Sequence, residues 1–255
     1  MRMFRIMVAM LVFGGALAGC APKSVPLGGE DITRPARQLM LVVSEDWQYT
    51  MATLQRLERA SAEDEWKPVG QPVTVNVGRG GMAWGRGLHG LALGAGPVKR
   101  EGDGRAPAGL FALGEAFASD PAEAGAVRLP ILRADKDLYC VDDAASPLYN
   151  SFVRLGAGEA KSWTSAEDML RADGQYRLGV FVKHNAGPRV PGGGSCIFLH
   201  IWLGRGVASS GCTNMDGPDM LSLLRWLDAS KSPLLAQLPR QDYERLRTAW
   251  RLPRQ

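Results

Sequence analysis

The segment FLHIWLGRGVASSGCTNM, residues 198–215, carries two side chains that are able to do chemistry together. His200 lies near the end of an apolar run, and Cys212 follows it after a loop rich in glycine and serine. A free thiol is mostly protonated at neutral pH, whereas the thiolate is the form that attacks a carbonyl carbon. A neighbouring imidazole can remove the thiol proton and later return a proton to a leaving amine. The pair therefore predicts acyl transfer through a thioester on Cys212, provided that the fold brings the two side chains together.

The run CIFLHIW, residues 196–202, has the composition of a β-strand. Side chains alternate between the two faces of a strand, so one face here is aliphatic and the opposite face carries His200. The loop that follows is long enough to return Cys212 beside this histidine. Gly211 permits a backbone conformation that other residues rarely adopt. Main-chain N–H groups of the turn SSGC would then stabilise the oxyanion of the tetrahedral intermediate.

The rest of the chain predicts a mainly β domain with a few peripheral helices. The spacing of Thr164 and Glu167 is that of a capping box and predicts a helix in TSAEDMLRA, and Pro218 suits the first turn of another helix. No internal repeat and no alternation of strands with helices is present. Strand-like runs cover residues 38–43, 72–77, 178–183 and 196–202, and helical patterns cover 164–172, 218–228 and 240–250.

The N-terminus has the pattern of a secretory signal: two arginines, a short apolar core, and small residues that lead to Cys20. The apolar core is short for a membrane span, and the pattern resembles a bacterial lipoprotein signal, in which Cys20 is acylated. An ordinary cleaved signal that happens to end in cysteine is the alternative. Ala21 after the cysteine favours the outer membrane in the sorting pattern that this signal resembles. We expect a signal peptide at 1–19, a lipidated tether at 20–37 and one domain at 38–255.

The distribution of charge argues against nucleic acid as a partner. The formal net charge is +4, and the excess of basic residues is spread along the chain. No segment gathers enough lysine and arginine to form a phosphate-binding face. The signal pattern instead indicates two partners: the membrane, through a lipid on Cys20, and a substrate of the cell envelope.

Several segments together resemble the L,D-transpeptidase catalytic domain family (YkuD type). The residues FLHIW followed by SSGCTNM are similar to its signature, a histidine segment followed by a Ser-x-Gly-Cys turn. The stretch VKREGDGRAPAGLFAL is similar to the family's upstream glycine-rich loop and its Pro-x-Gly-x-Phe strand entry. The segments CVDDAASPLYN, WTSAEDM and KHN resemble parts of one branch of the family, so that the resemblance covers roughly residues 38–250.

The resemblance implies a β-sandwich-like domain that acts on peptidoglycan in the periplasm without a metal or other cofactor. It assigns Cys212 as the nucleophile, His200 as the general base, and Ser210 with Gly211 to the turn that shapes the oxyanion site. The nucleophile would attack the third residue of a tetrapeptide stem and release D-alanine. An amine of a second stem would then form a 3–3 cross-link, and a protein lysine would anchor a protein. If water were the acceptor, the chain would be an L,D-carboxypeptidase or an amide hydrolase. The alternative without catalysis is a lipoprotein that only binds peptidoglycan.

Two residues depart from the family pattern. Ser210 stands where many members have histidine, and Asn214 stands where an arginine is common. That arginine is a natural partner for a substrate carboxylate, so its replacement puts the usual stem-peptide specificity in question. We expect Asn214, His184 and Arg105 to bind substrate. The alternatives are that His184 only ends its strand and that Arg105 belongs to a solvated charged loop.

The remaining cysteines, Cys140 and Cys196, either form a disulfide in an oxidising periplasm or stay as two buried thiols. A zinc site formed by Cys196, Cys212, His184 and His200 is a further alternative. It is disfavoured because Cys196 and His200 would lie about 13 Å apart along an extended strand. The sequence therefore predicts a site that contains no metal.

Overall fold

The computed structural model describes residues 32–90 and 94–254. The expected signal peptide and the lipidation site at Cys20 lie outside these residues. Within them, no helix has the length and apolar composition needed to cross a membrane. The strands are β1 (Gln38–Ser44), β2 (Met51–Glu58), β3 (Lys67–Asn76), β4 (Met82–Trp84), β5 (Ala106–Ala118), β6 (Ile131–Arg133), β7 (Leu138–Val141), β8 (Ser151–Arg154), β9 (Ala166–Asp168), β10 (Leu178–Val182), β11 (Phe198–Ile201), β12 (Thr213–Met215) and β13 (Leu234–Pro239), and the α-helices are α1 (Pro121–Ala124), α2 (Gly217–Trp226) and α3 (Arg240–Leu246).

A large mixed sheet forms the body of the domain. Its strands follow the order β10, β11, β12, β3, β2, β1, β13 and β5, and β5 also pairs with β10. The circuit of pairings therefore closes, and the sheet encloses a single large apolar core. All residues of β1 are buried, as expected for a continuous apolar strand that is covered on both faces. The expected mainly β architecture is confirmed.

Two helices cover parts of this sheet, as the sequence predicts. Asp216 caps α2, Pro218 occupies its first turn, and the buried face packs against β10 and β11. The shorter helix α3 buries Tyr243 and Leu246 and contacts β13 and β1. Each helix thus places one apolar stripe on the sheet and leaves its polar face in solvent.

A second, smaller sheet packs beside the first. Strand β7 lies between β8 and β9, and all of its pairings are antiparallel. An aromatic cluster that includes Phe117, Phe181 and Phe198 joins the face of this sheet to the face of β10 and β11 opposite the main core. Cys140 of β7 forms a disulfide with Cys196, which lies two residues before the start of β11, and the S–S distance is 2.07 Å. The small sheet is therefore covalently tied to the strand that carries His200.

The predicted helix at 164–172 is wrong. Residues 166–168 form strand β9, in which Glu167 pairs with Cys140. Thr164 does not act as a helix cap, because its N–H and its hydroxyl both donate to the carboxylate of Asp143, at 2.8 Å each. The long-range pairing with β7 overrides a local capping signal that is only a few residues long.

The disulfide is expected to contribute strongly to stability. It joins residues 56 positions apart, and a loop of this length corresponds to about 4 kcal/mol in the chain-entropy model. We expect the double variant Cys140→Ala/Cys196→Ala to lose a comparable part of its free energy of unfolding, measured by denaturant titration. Cys212→Ala is the matched control, because it removes a buried thiol and keeps the cross-link. Equal stability of the double variant and this control would contradict the prediction.

Candidate active site

The parallel pairing of β11 with β12 brings His200 and Cys212 to the same cleft. Leu199 pairs with Thr213, so Cys212 lies beside Phe198 on the neighbouring strand. The main-chain N–H of Phe198 donates to Cys212 Sγ at 3.3 Å. Residues at positions i and i+2 of a strand share a face, so His200 and the thiol lie on the same side of the sheet. The loop between them returns the chain as the sequence predicts.

The turn before the nucleophile has a specific internal lock. Gly211 has φ +148°, and a Cβ at this position would lie 3.1 Å from the carbonyl oxygen of Arg105. The hydroxyl of Ser209 accepts from the Gly211 N–H at 3.0 Å and donates to the Cys212 carbonyl at 2.5 Å. Sequence reasoning missed Ser209, although a serine two residues before a glycine turn is a common signal for such a side-chain lock. The hydroxyl of Ser210 instead accepts from Arg79 Nη1 at 2.8 Å.

The contacts of His200 prepare it as a neutral base. Its Nδ1 lies 2.7 Å from the carbonyl oxygen of Ile201, which can only accept, so Nδ1 carries the proton. The lone pair is then on Nε2. Burial lowers the pKa of His200 to about 4, against the opposing effect of the Ile201 carbonyl. The imidazole is therefore neutral across the physiological range and available to take a proton.

The thiol is also neutral in the resting site. Burial raises the pKa of Cys212 to about 12, and the N–H of Phe198 only partly opposes this effect. The thiol donates to the carbonyl oxygen of Cys196 at a Sγ–O distance of 3.6 Å. This proton must turn from the Cys196 carbonyl to His200 before the sulfur can attack as a thiolate. The geometry thus favours proton transfer that accompanies attack over a stored thiolate.

The cleft in front of the thiol has a volume of about 430 Å³ and is bounded by two walls of different origin. Arg79 and the loop from Leu203 to Gly211 form one wall. The small sheet and the turn after it form the other wall with Asp142, Glu167 and Arg171. The cleft therefore presents charges of both signs within reach of the nucleophile.

Glu167 connects the second wall to the base. Tyr176 donates its hydroxyl to Glu167 at 3.0 Å, and the edge of its ring packs against His200 with 5.2 Å between the ring centroids. Burial raises the pKa of both Glu167 and Tyr176. No local pattern in the sequence marks Tyr176, because its contact with the histidine depends on the turn that precedes β10.

Asn76 organises the loop of the first wall. Its side-chain N–H groups donate to the carbonyls of Gly204 and Val207 and to the side chain of Asn214, and its Oδ1 accepts from the Gly206 N–H. The two N–H groups of this amide are thus shared among three acceptors, and one lone pair of Oδ1 is used. These contacts join β3, the loop and β12, and they turn the side chain of Asn214 away from the cleft.

The structure does not bring the three expected substrate-binding residues into the cleft. Asn214 is buried against Asn76. His184 is fully buried, with Nδ1 accepting from the Arg86 N–H at 3.1 Å and Nε2 beside the Gly193 carbonyl at 3.0 Å.

The third of these residues, Arg105, turns its guanidinium to the carbonyl of Met82 at 3.0 Å. These contacts hold each of the three side chains within the fold and outside the cleft lining, so the three residues support loops around the site. The alternative zinc site also lacks a ligand, because Cys196 is bonded to Cys140.

A model of the family YkuD, L,D-transpeptidase catalytic domain, matches residues 61–235. This range is more than half of the chain and contains both His200 and Cys212. The chain belongs to the L,D-transpeptidase catalytic domain family. No curated protein and no solved structure matches the chain significantly. Strands β1 and β2 precede the range matched by the L,D-transpeptidase model, yet they belong to the same sheet as its strands.

The reactivity of Cys212 in the free protein tests the neutral resting state. A thiol with a pKa near 12 has almost no thiolate at neutral pH, so iodoacetamide should alkylate Cys212 more slowly than an exposed cysteine. The rate should rise with pH beyond the range in which a free thiol has already ionised. Intact-protein mass spectrometry measures the rate, and the denatured protein is the control. Rapid alkylation that is already maximal in mild acid would show a stored thiolate and overturn this assignment.

Substitution of Asn76 tests whether its side-chain hydrogen bonds hold the loop from Leu203 to Gly211 in place. Asn76→Ala leaves the buried Asn214 side chain and two partly buried carbonyls without their donor, so we expect a loss of about 1–3 kcal/mol of stability and faster hydrogen exchange at Gly206. Thr74→Ala, on the same strand, is the control. Denaturant titration and amide exchange measure the two effects. Unchanged protection of the Gly206 amide in Asn76→Ala would show that the loop does not depend on this side chain.

Proposed function

We propose that the chain is a cysteine L,D-transpeptidase that acts on peptidoglycan stem peptides through a thioester on Cys212. The observation that carries this proposal is the convergence of a neutral imidazole and a thiol on adjacent strands of one cleft. Membership in the L,D-transpeptidase family supports peptidoglycan as the substrate. The lock by Ser209 supports a nucleophile turn that is already ordered before the substrate binds.

The reaction would begin with proton transfer from Cys212 Sγ to His200 Nε2 as the sulfur bonds to the substrate carbonyl carbon. Main-chain N–H groups of the turn would stabilise the oxyanion. When the tetrahedral intermediate collapses, the carbon–nitrogen bond breaks and the leaving amine takes the proton from Nε2. The acceptor amine then attacks the thioester carbonyl, Nε2 removes its proton, and the thiol recovers that proton when the carbon–sulfur bond breaks.

The burial of the site supports an amine acceptor. Cys212 is 8% exposed and His200 is 3% exposed, and a bound stem would cover them further. A site that excludes water protects a reactive intermediate from hydrolysis. The proposed products are therefore a 3–3 cross-link, when the amine belongs to a second stem, or an anchored protein, when it belongs to a lysine.

We also propose that the protein lies at the periplasmic face of the outer membrane, anchored by a lipid on Cys20. The signal pattern and the position of Cys20 support the anchor. A disulfide such as Cys140–Cys196 is typical of proteins in oxidising compartments and supports the periplasm.

Purified tetrapeptide stems test the proposed reaction directly. The full-length protein in mild detergent should release D-alanine and form stem dimers, as measured by mass spectrometry. Cys212→Ala should abolish both products, because no thioester can form. His200→Gln should lower the rate by roughly 10²- to 10⁴-fold, the usual contribution of a general base.

Two outcomes would contradict the proposal. Equal turnover by Cys212→Ala would exclude a thioester at this residue. Release of D-alanine with tripeptide as the sole product, in the presence of acceptor amines, would identify a carboxypeptidase in place of a transpeptidase.

A further inference from the structure

Three cationic side chains line the cleft, and two of them are neutralised by carboxylates. Lys99 lies 2.5 Å from Asp103, and Arg171 lies 2.5 Å from Asp173. The third is Arg79, which forms no ion pair among the described residues. Its one side-chain hydrogen bond there goes to the neutral hydroxyl of Ser210, at 2.8 Å. Arg79 therefore presents a full positive charge to the cleft.

The backbone of Arg79 is tied to the nucleophile turn. Its N–H donates to the carbonyl of Ser209 at 2.8 Å, and the N–H of Ser209 donates to Val77 at 3.2 Å. The guanidinium is bound to Ser210, two residues before Cys212. These contacts fix an exposed arginine in the lining of the cleft and tie it to the turn that carries Cys212.

A guanidinium in this position fits a carboxylate. Arginine has five N–H donors in a planar fork that can bind both oxygens of a carboxylate, and Ser210 uses one of them. A stem whose scissile carbonyl sits on Cys212 continues for one residue, about 3.8 Å between consecutive Cα atoms, and ends in a carboxylate. Asn214 and Arg105 are turned away from the cleft by their own contacts.

We propose that Arg79 binds the terminal α-carboxylate of the donor stem and so selects peptides in which a single residue follows the scissile bond. This proposal rests on the proposed function, because it takes the peptide orientation from the attack by Cys212. It assigns a specificity role to a residue that follows β3 and lies outside the segment from His200 to Cys212.

Paired peptides test the proposal: a tetrapeptide stem with a free C-terminal carboxylate and the same stem with a C-terminal amide. We expect Arg79→Ala to lower kcat/KM for the acid by about 10- to 100-fold, the range for a hydrogen bond to a charged group, and to leave the amide nearly unchanged. Arg79→Lys should recover part of the preference. Arg205→Ala, on the loop from Leu203 to Gly211 and exposed outside the cleft lining, should leave both rates unchanged.

Two further experiments separate the effect of the Arg79 guanidinium from the effect of its Ser210 partner, and separate binding from turnover. Ser210→Ala keeps the guanidinium but removes its partner, so it should retain the preference for the acid. A calorimetric comparison in the Cys212→Ala background measures binding of the acid and the amide without turnover. Here the acid should bind more tightly, and adding Arg79→Ala should remove the difference.

The outcomes are distinguishable. Absence of turnover by the wild type, with an Arg79-dependent preference in binding, would defeat the proposed function and retain the carboxylate site. Turnover by the wild type with equal losses for acid and amide in Arg79→Ala would retain the function and overturn the site. Loss of the Arg79 effect in a stem with lysine as its third residue, in place of diaminopimelate, would overturn the terminal assignment in favour of the side-chain carboxylate.

Discussion

The parallel pairing of β11 with β12 is the constraint on which the site depends. It places Cys212 beside Phe198 and fixes the distance between the nucleophile and the base through the backbone of two neighbouring strands. Both groups are then buried by the same packing. Burial favours the neutral form of each, since it lowers the pKa of His200 and raises the pKa of Cys212. Both side chains are therefore uncharged in the resting site.

The two walls of the cleft around His200 and Cys212 are held in place by different interactions. Hydrogen bonds of Asn76 and Ser209 hold the wall formed by the nucleophile loop. The disulfide and the aromatic cluster hold the wall formed by the small sheet. The first wall presents Arg79, and the second presents both Glu167 and Arg171. Since neither wall belongs to the strand pair itself, specificity can vary while the chemistry stays constant.

The sequence predicts the elements that depend on local pattern. Continuous apolar runs identify β1, β10 and β11, and the proline near the start of α2 identifies that helix. Prediction fails where tertiary pairing decides. Glu167 lies in a strand and not in a helix because it pairs with β7. Strand β13 pairs with β1, although the two strands are far apart in the sequence.

The same limit applies to the site. The glycine turn and the alternation of β11 are sufficient to predict that His200 and Cys212 meet. They do not identify Arg79 or Tyr176, which approach from other elements. The positions of Arg105 in the glycine-rich loop and of Asn214 after the cysteine predict contacts with substrate, but the fold directs both side chains to other partners. Local sequence pattern therefore predicts which residues share the cleft with Cys212 only within its own segment, and it misses the residues that reach the cleft from other elements.

Detection of the acyl-enzyme tests the central claim most directly. Rapid quenching of the protein with a tetrapeptide stem, followed by intact mass measurement and peptide mapping, would reveal the intermediate. The account predicts a transient adduct equal in mass to the stem minus D-alanine and attached to Cys212. It also predicts that added acceptor amine shortens the lifetime of the adduct. Turnover without any adduct, or an adduct on another residue, would contradict the assignment of Cys212 and His200 as the reacting pair.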